Sequence, residues 1–161
     1  MPANSPMSLL TAEHRKLISI VQDVESDQTS LKSGILKADT KQRIEKLTEF
    51  LQKHITKEEQ VLFPVLSRKG GMDRMVINAM HLEHKKISAE LSKVSRHLDK
   101  APLSQALLTS LYWTFNLLRA HISKEDNVLF WFAEIKIPQH LHYILIKQMD
   151  AIEQSTAHLK H

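Results

Sequence analysis

The sequence predicts an all-α protein whose helices bundle around buried histidines and glutamates. Three observations predict it. Only three glycines occur, at positions 34, 70 and 71, and few segments read as β-strand. Apolar residues recur three and four apart over most of the 161 residues, the spacing of one helix face. The chain also repeats itself. His54-Ile-Thr-Lys-Glu58-Glu-Gln-Val-Leu-Phe63 returns 67 residues later as His121-Ile-Ser-Lys-Glu125-Asp-Asn-Val-Leu-Phe130, and Glu13-His14 returns 70 residues later as Glu83-His84. Such a pair of offsets reads as the duplication of a helical hairpin.

The elements follow in order. Ser8 or Thr11 is placed to cap a first helix, with Leu10, His14, Leu17, Ile18 and Val21 on one face. Polar residues 25–34, closing at Gly34, read as a loop. A second helix begins near Asp39 or Thr40 and carries Ile44, Leu47, Leu51, His54, Glu58, Val61, Leu62 and Val65, with Pro64 expected to disturb or end it. Gly70-Gly71 is the strongest break and separates the two halves. A third helix carries Ile77, Met80, His81, His84, Ile87 and Leu91. Pro102 suits the first position of a fourth, whose face carries Leu107, Leu111, Thr114, Leu118, His121, Glu125, Val128 and Phe132. Pro138 sets off a fifth helix, over residues 138–158, with Leu141, Ile144, Leu145, Gln148 and Ile152.

Composition narrows the function. An apolar share of 42% suits one globular domain spanning residues 1–161 and argues against disorder. The absence of cysteine excludes disulfides, thiolate chemistry and cysteine-held metal clusters. The net charge of +4 is spread among interleaved acids and bases, and no aromatic-basic motif points to nucleic acid. Residues 101–118 are uncharged but too polar to span a bilayer, and the N-terminus lacks the apolar core of a secretory signal. A cytoplasmic protein is expected.

His54/Glu58 and His121/Glu125 are each spaced i and i+4, one turn apart on one helix face. They lie on apolar stripes, between Leu51 and Val61 and between Leu118 and Val128. A carboxylate on such a stripe is costly to bury unless it is paired or bound to metal. A single His-x3-Glu is usually a solvated pair. Two copies in matching contexts, each preceded by a Glu-His helix, point instead to metal. Four histidines and two glutamates, His14, His54, Glu58, His84, His121 and Glu125, suit two transition-metal ions inside a helix bundle.

A histidine on helix one, His-x3-Glu-Glu with a following Leu-Phe-Pro on helix two, Glu-His on helix three and His-x3-Glu on helix four resemble the hemerythrin-like (HHE cation-binding) domain family, over residues 8–133. The resemblance implies an antiparallel up-down-up-down four-helix bundle, here with an additional C-terminal helix, around two non-heme irons joined by an oxo or hydroxo bridge. Carried over residue by residue, it implies the ligands His14, His54, Glu58, His84, His121 and Glu125, with Glu58 and Glu125 bridging the metals. Manganese fits the same donors.

Glu59 and Asp126 lie about 100° round the helix from the glutamates before them, so they are expected to be solvated or to support a ligand. His81 precedes His84 by three residues and is expected to face the same interior as a hydrogen-bonding support; oxygen-carrying hemerythrins space two histidines on this helix by four. His97, His140, His142, His158 and His161 are expected at the surface. Met72, Met75, Met80, Phe50, Phe63, Phe115 and Phe130 are expected to fill the core, and Tyr112 lies off the ligand face. Of about twelve positions on two octahedral ions, the six residues and the bridge leave about two for a small ligand. The role expected first is binding or sensing of O2, NO or a related small oxidant such as peroxide. A di-iron redox role resembling that of iron–sulfur cluster repair or NO and peroxide detoxification proteins comes second, because such relatives carry a further cysteine-bearing domain. Iron storage or buffering comes third.

Overall fold

The structure, a computed structural model, describes residues 4–155. His158, His161 and the end of the last expected helix lie outside the described residues. Among those described, helices account for nearly all regular structure and no strand occurs.

The first helix, α1, runs Pro6–Ser26. Its cap is Ser5, earlier than the sequence suggests, because Pro6 presets the first turn and has no N–H to leave unpaired. The Ser8 N–H donates to Ser5 Oγ at 3.0 Å, and the Ser5 N–H donates to Ser8 Oγ at 3.1 Å, which makes a capping box. The expected loop at 25–34 is largely helical. Asp27 caps a short α2, Gln28–Ser33, which ends on Gly34 at φ 73°. There the backbone closes on a distant loop, since the Leu103 N–H donates to the Gly34 carbonyl at 2.8 Å. A Cβ at Gly34 would lie 2.8 Å from the Leu103 carbonyl oxygen, so this approach requires glycine.

The second long helix, α3, spans Ala38–Lys57. It does not end at Pro64 but continues as a π turn at Glu58–Leu62, a short α4 at Phe63–Val65 and a second π turn at Leu66–Gly70. Pro64 directly follows the first π turn, in the second position of α4. Helix α5, Arg74–Ser95, is capped by Asp73. Helix α6, Gln105–Lys124, is capped by Ser104, so Pro102 sits before the helix rather than at its first position. A π turn at Glu125–Leu129 leads into α7, Phe130–Lys136, and α8 follows at Gln139–Ser155.

Helices α1, α3, α5 and α6 each pack against two of the others, α1 on α3, α3 on α5, α5 on α6 and α6 on α1, and α8 lies against α1, α3 and the first π turn. Two apolar clusters result. One holds Leu17, Leu47, Leu51, Ile87, Leu91, Phe115, Leu118 and Ile122. The other holds Met7, Leu10, Leu62, Phe63, Met80, Leu129, Phe130, Leu145 and Met149. On α1, α3, α5 and α6 the candidate ligands fall between the two.

Some expected faces are rotated. Val128 is 61% exposed whereas its repeat partner Val61 is 4% exposed. The π turn carries Leu129 and Phe130 inward in its place, and among the described residues no helix covers the second half as α8 covers the first. On α8 the buried face is His142, Leu145 and Met149, so Ile144 is exposed and His142, expected at the surface, is buried. Met75, expected in the core, is exposed in the first turn of α5. Phe115 is fully buried in the cluster remote from the second apolar layer. Phe115→Ala is expected to lower stability by about 3–5 kcal/mol in a denaturant melt, with the ligand geometry untouched.

Candidate metal centre

Each long helix delivers its ligands by its own local geometry. Helix α1 places His14 and α5 places His84, while α3 and α6, each with its π turn, place His54/Glu58 and His121/Glu125. Both π turns start at the glutamate itself, so the widened backbone turn sits where that carboxylate enters the interior. All six side chains are almost completely buried.

The six meet at the centre. His54 Nε2 lies 3.2 Å from Glu58 Oε1, and His121 Nε2 lies 3.1 Å from Glu125 Oε1. Across the bundle, His14 Nε2 lies 3.2 Å from Glu125 Oε2, and His84 Nε2 lies 3.1 Å from Glu58 Oε2. Two groups of candidate donors form, His14, His54, Glu58 and Glu125 in one and Glu58, His84, His121 and Glu125 in the other; within each, the donor atoms lie within 4.8 Å of one another. Both glutamates belong to both groups.

The donor chemistry fits cations. The four carboxylate oxygens of Glu58 and Glu125 and Nε2 of His84 are buried without a hydrogen-bond partner. They crowd one another without aligning as donor and acceptor, as atoms aimed at common points do. The Nδ1 atoms settle the tautomers. His14 Nδ1 donates to Asp126 Oδ1 at 2.9 Å, His54 Nδ1 to Glu13 Oε2 at 2.9 Å, His84 Nδ1 to Glu59 Oε1 at 2.8 Å and His121 Nδ1 to Glu83 Oε2 at 2.9 Å. An ionised carboxylate only accepts, so each ring proton sits on Nδ1 and a neutral ring turns the Nε2 lone pair inward. Two such lone pairs, on His14 and His54, face each other at 2.9 Å. A proton or a metal ion must relieve that contact.

Without metal, protons do so. Burial alone would push the His54 imidazole down, but Glu58 and Glu13 outweigh it and hold it up at about 10. Burial is likewise overcome at His84, held up at about 10 by Glu125 and Glu58, and at His14, raised by Asp126 and Glu125. Burial would raise the Glu125 carboxyl, yet His121, His14 and His84 hold it well below the usual carboxylate range.

The supporting carboxylates form a closed ring: Glu13 of α1 serves α3, Glu59 after α3 serves α5, Glu83 of α5 serves α6, and Asp126 after α6 serves α1. Glu59 and Asp126, expected to be solvated or to support a ligand, take the supporting role. Glu13 and Glu83 were not, although the duplicated Glu-His pair was their signal. His81 does not reach the interior. Its side chain is 41% exposed and its Nδ1 lies 2.9 Å from Glu59 Oε1. Thr11, 70 residues earlier, holds the equivalent place and donates to Asp126 at 3.1 Å. Phe63 and Phe130 are more than filling, for they stack on His84 and His14 with centroids 5.6 and 5.2 Å apart. Glu13→Ala or Glu83→Ala is expected to weaken metal binding by about 10–100-fold in a direct titration. His81→Ala is expected to leave metal content and absorption nearly unchanged.

No solved structure matches this chain. Among curated proteins it is similar to the iron-sulfur cluster repair protein YtfE of Salmonella typhimurium, 36% identical over 121 residues, which cover 68% of this chain and 51% of that protein. It is similar to the protein of the same name from Escherichia coli O1:K1, 35% identical over 119 residues with the same coverage. The chain thus spans about half the length of these relatives. The family model described as hemerythrin HHE cation binding domain matches residues 5–133. That span takes in every helix that contributes to the buried histidine and glutamate layer, and the chain belongs to the hemerythrin HHE cation-binding domain family.

Proposed function

We propose that the protein is a non-heme di-iron protein that binds or senses O2, NO or a related small oxidant. The observation that carries this reading is the sharing of both buried glutamates by two histidine pairs. His14 and His54 would hold one ion, His84 and His121 the other, and Glu58 and Glu125 would each lend one oxygen to either ion. Iron bound there supplies redox and ligand-binding chemistry toward small oxidants; manganese is the other ion the donor set suits. The chain's own part is to keep each Nδ1–H donating to an outer carboxylate, to hold the Nε2 lone pairs inward and to exclude bulk water with the two apolar clusters.

The same reading takes the chain as one domain, an antiparallel up-down-up-down four-helix bundle with α8 appended, located in the cytoplasm. The ring of neighbours α1, α3, α5 and α6 supports the bundle. Among the described residues, no helix is long and apolar enough to cross a membrane.

A second reading, a di-iron redox role in iron–sulfur cluster repair or in NO or peroxide detoxification, is favoured by the likeness to the two YtfE proteins. Elemental analysis and an absorption spectrum of protein purified without a histidine tag test the common core. About two irons per chain with charge-transfer absorption are expected; zinc alone, or no metal, would overturn it. Turnover of NO or peroxide would select the second reading, and reversible gas binding without turnover the first.

A further inference from the structure

The two halves of the centre match in their ligands and in the carboxylate behind each histidine until α8 is reached. In the second half, His121 Nδ1 donates to Glu83, and Glu83 also accepts from Lys124, whose side chain is 50% exposed. In the first half, His54 Nδ1 donates to Glu13, and Glu13 Oε1 accepts from Lys57 at 2.5 Å. Lys57, the repeat partner of Lys124, is 3% exposed. The difference is α8. It packs on α3 and the adjoining π turn, and its Glu153 Oε2 accepts from Lys57 at 2.7 Å. A buried ammonium is costly unless it is paired and hydrogen-bonded, and here two carboxylates hold it. Glu153 thereby ties Lys57 to Glu13, and Glu13 to the His54 ring. Away from α8, a hollow of about 410 Å³ opens between α3 and α5, lined by Gln52, Glu59, His81, His84 and Lys85. Its wall includes one candidate ligand, His84.

We infer that α8 makes the two metal positions unequal, with Glu153 as a positioning residue that closes the His14/His54 position and leaves the His84/His121 position as the one that exchanges metal and meets an incoming ligand. The inference rests on the metal reading above. The physical cause is solvent competition. On the closed side, hydrogen bonds to His54 are made in a water-poor environment, where they are stronger and lose less to rearrangement. On the open side, Lys124 and Glu83 exchange partners with water.

The test is an anaerobic titration of the metal-free full chain with Co2+, followed by absorption. Wild type is expected to bind in two resolved steps. The step surviving in His121→Ala, which keeps the closed half, is expected to be tighter than the step surviving in His54→Ala. Glu153→Ala should weaken the tighter step about tenfold and leave the weaker one within about twofold. Lys53 also pairs with Glu153, at 3.2 Å, but does not touch Glu13. Lys53→Ala is the control for the mere docking of α8 and should move neither step. Two equal steps in wild type would overturn the inference, as would a Glu153→Ala effect that is equal on both steps or absent from both. So would a Lys53→Ala effect as large as that of Glu153→Ala. These outcomes leave the metal reading standing. No binding by wild type would overturn that reading and the inference with it.

Discussion

Glu58→Ala and Glu125→Ala are each expected to lose metal from both positions together. Each carboxylate belongs to both donor groups, and each lies within about ion-pair distance of histidines from both halves, Glu58 at 3.2 Å from His54 and 3.1 Å from His84, Glu125 at 3.2 Å from His14 and 3.1 Å from His121. Removing one takes a donor oxygen from each ion and leaves two positively disposed metal sites facing one remaining carboxylate. The loss should exceed the about 10–100-fold that follows from removing an outer hydrogen-bond partner. Metal content after dialysis against a weak chelator is the measurement. Retention of one ion per chain at full affinity would assign the glutamate to one position alone. Retention of both would remove it from the centre. Glu58→Gln separates charge from shape, since it keeps the volume and one carbonyl oxygen; it should lose affinity at both positions while keeping the fold.

Metal binding and the stability of the metal-free protein are expected to depend on pH in opposite directions. The sign follows from the raised histidines. His54 and His84 ordinarily titrate at 6.5 and are held at about 10 in the folded, metal-free chain. A group raised on folding contributes stability that is complete below its unfolded pKa and is lost as pH rises through its folded one. Metal-free protein should therefore lose this contribution between about pH 6.5 and 10. The carboxylates act oppositely: Glu58 and Glu125 are lowered from 4.5, so their contribution is present above that value and is lost as pH falls below it. Metal must displace the imidazole protons, so its affinity should rise over the range in which the apoprotein weakens. Metal that binds only the folded chain adds about 2.7 kcal/mol at 100 times its Kd and about 4.1 kcal/mol at 1,000 times. Chelation at pH 8 should lower Tm clearly, and chelation at pH 5 should lower it little. Melting curves with and without chelator across this range make the check. Equal curves at every pH would show that the apolar clusters alone hold the bundle.

The six central residues were legible because their signals are local. A helix sets His54 and Glu58 one turn apart whatever surrounds it, and the near copy at His121 and Glu125 marks the spacing as purposeful. Leu51 and Leu118 on the same stripes mark the face as buried. The duplication also paired Glu13-His14 with Glu83-His84, but it could not say that each glutamate serves the histidine of the next helix. Helical periodicity places a side chain on its own helix; it carries no angle between helices.

Chain order and spacing by themselves determined an all-helical chain, the break at Gly70-Gly71 and a buried histidine and glutamate layer. Tertiary structure decided what those local signals do not encode. The π turns at Glu58 and Glu125 rotate the following residues by a fraction of a turn, so Val128 faces outward and Phe130 inward. His81, three residues from His84, ends on the rim with Glu59 because the neighbouring helix offers a carboxylate there. Packing of α8 buries His142, Val61 and Lys57 on one side and, among the described residues, has no counterpart on the other. Each outcome depends on which surface of another helix arrives opposite a residue, and that is settled only when the apolar faces close on one another and exclude water.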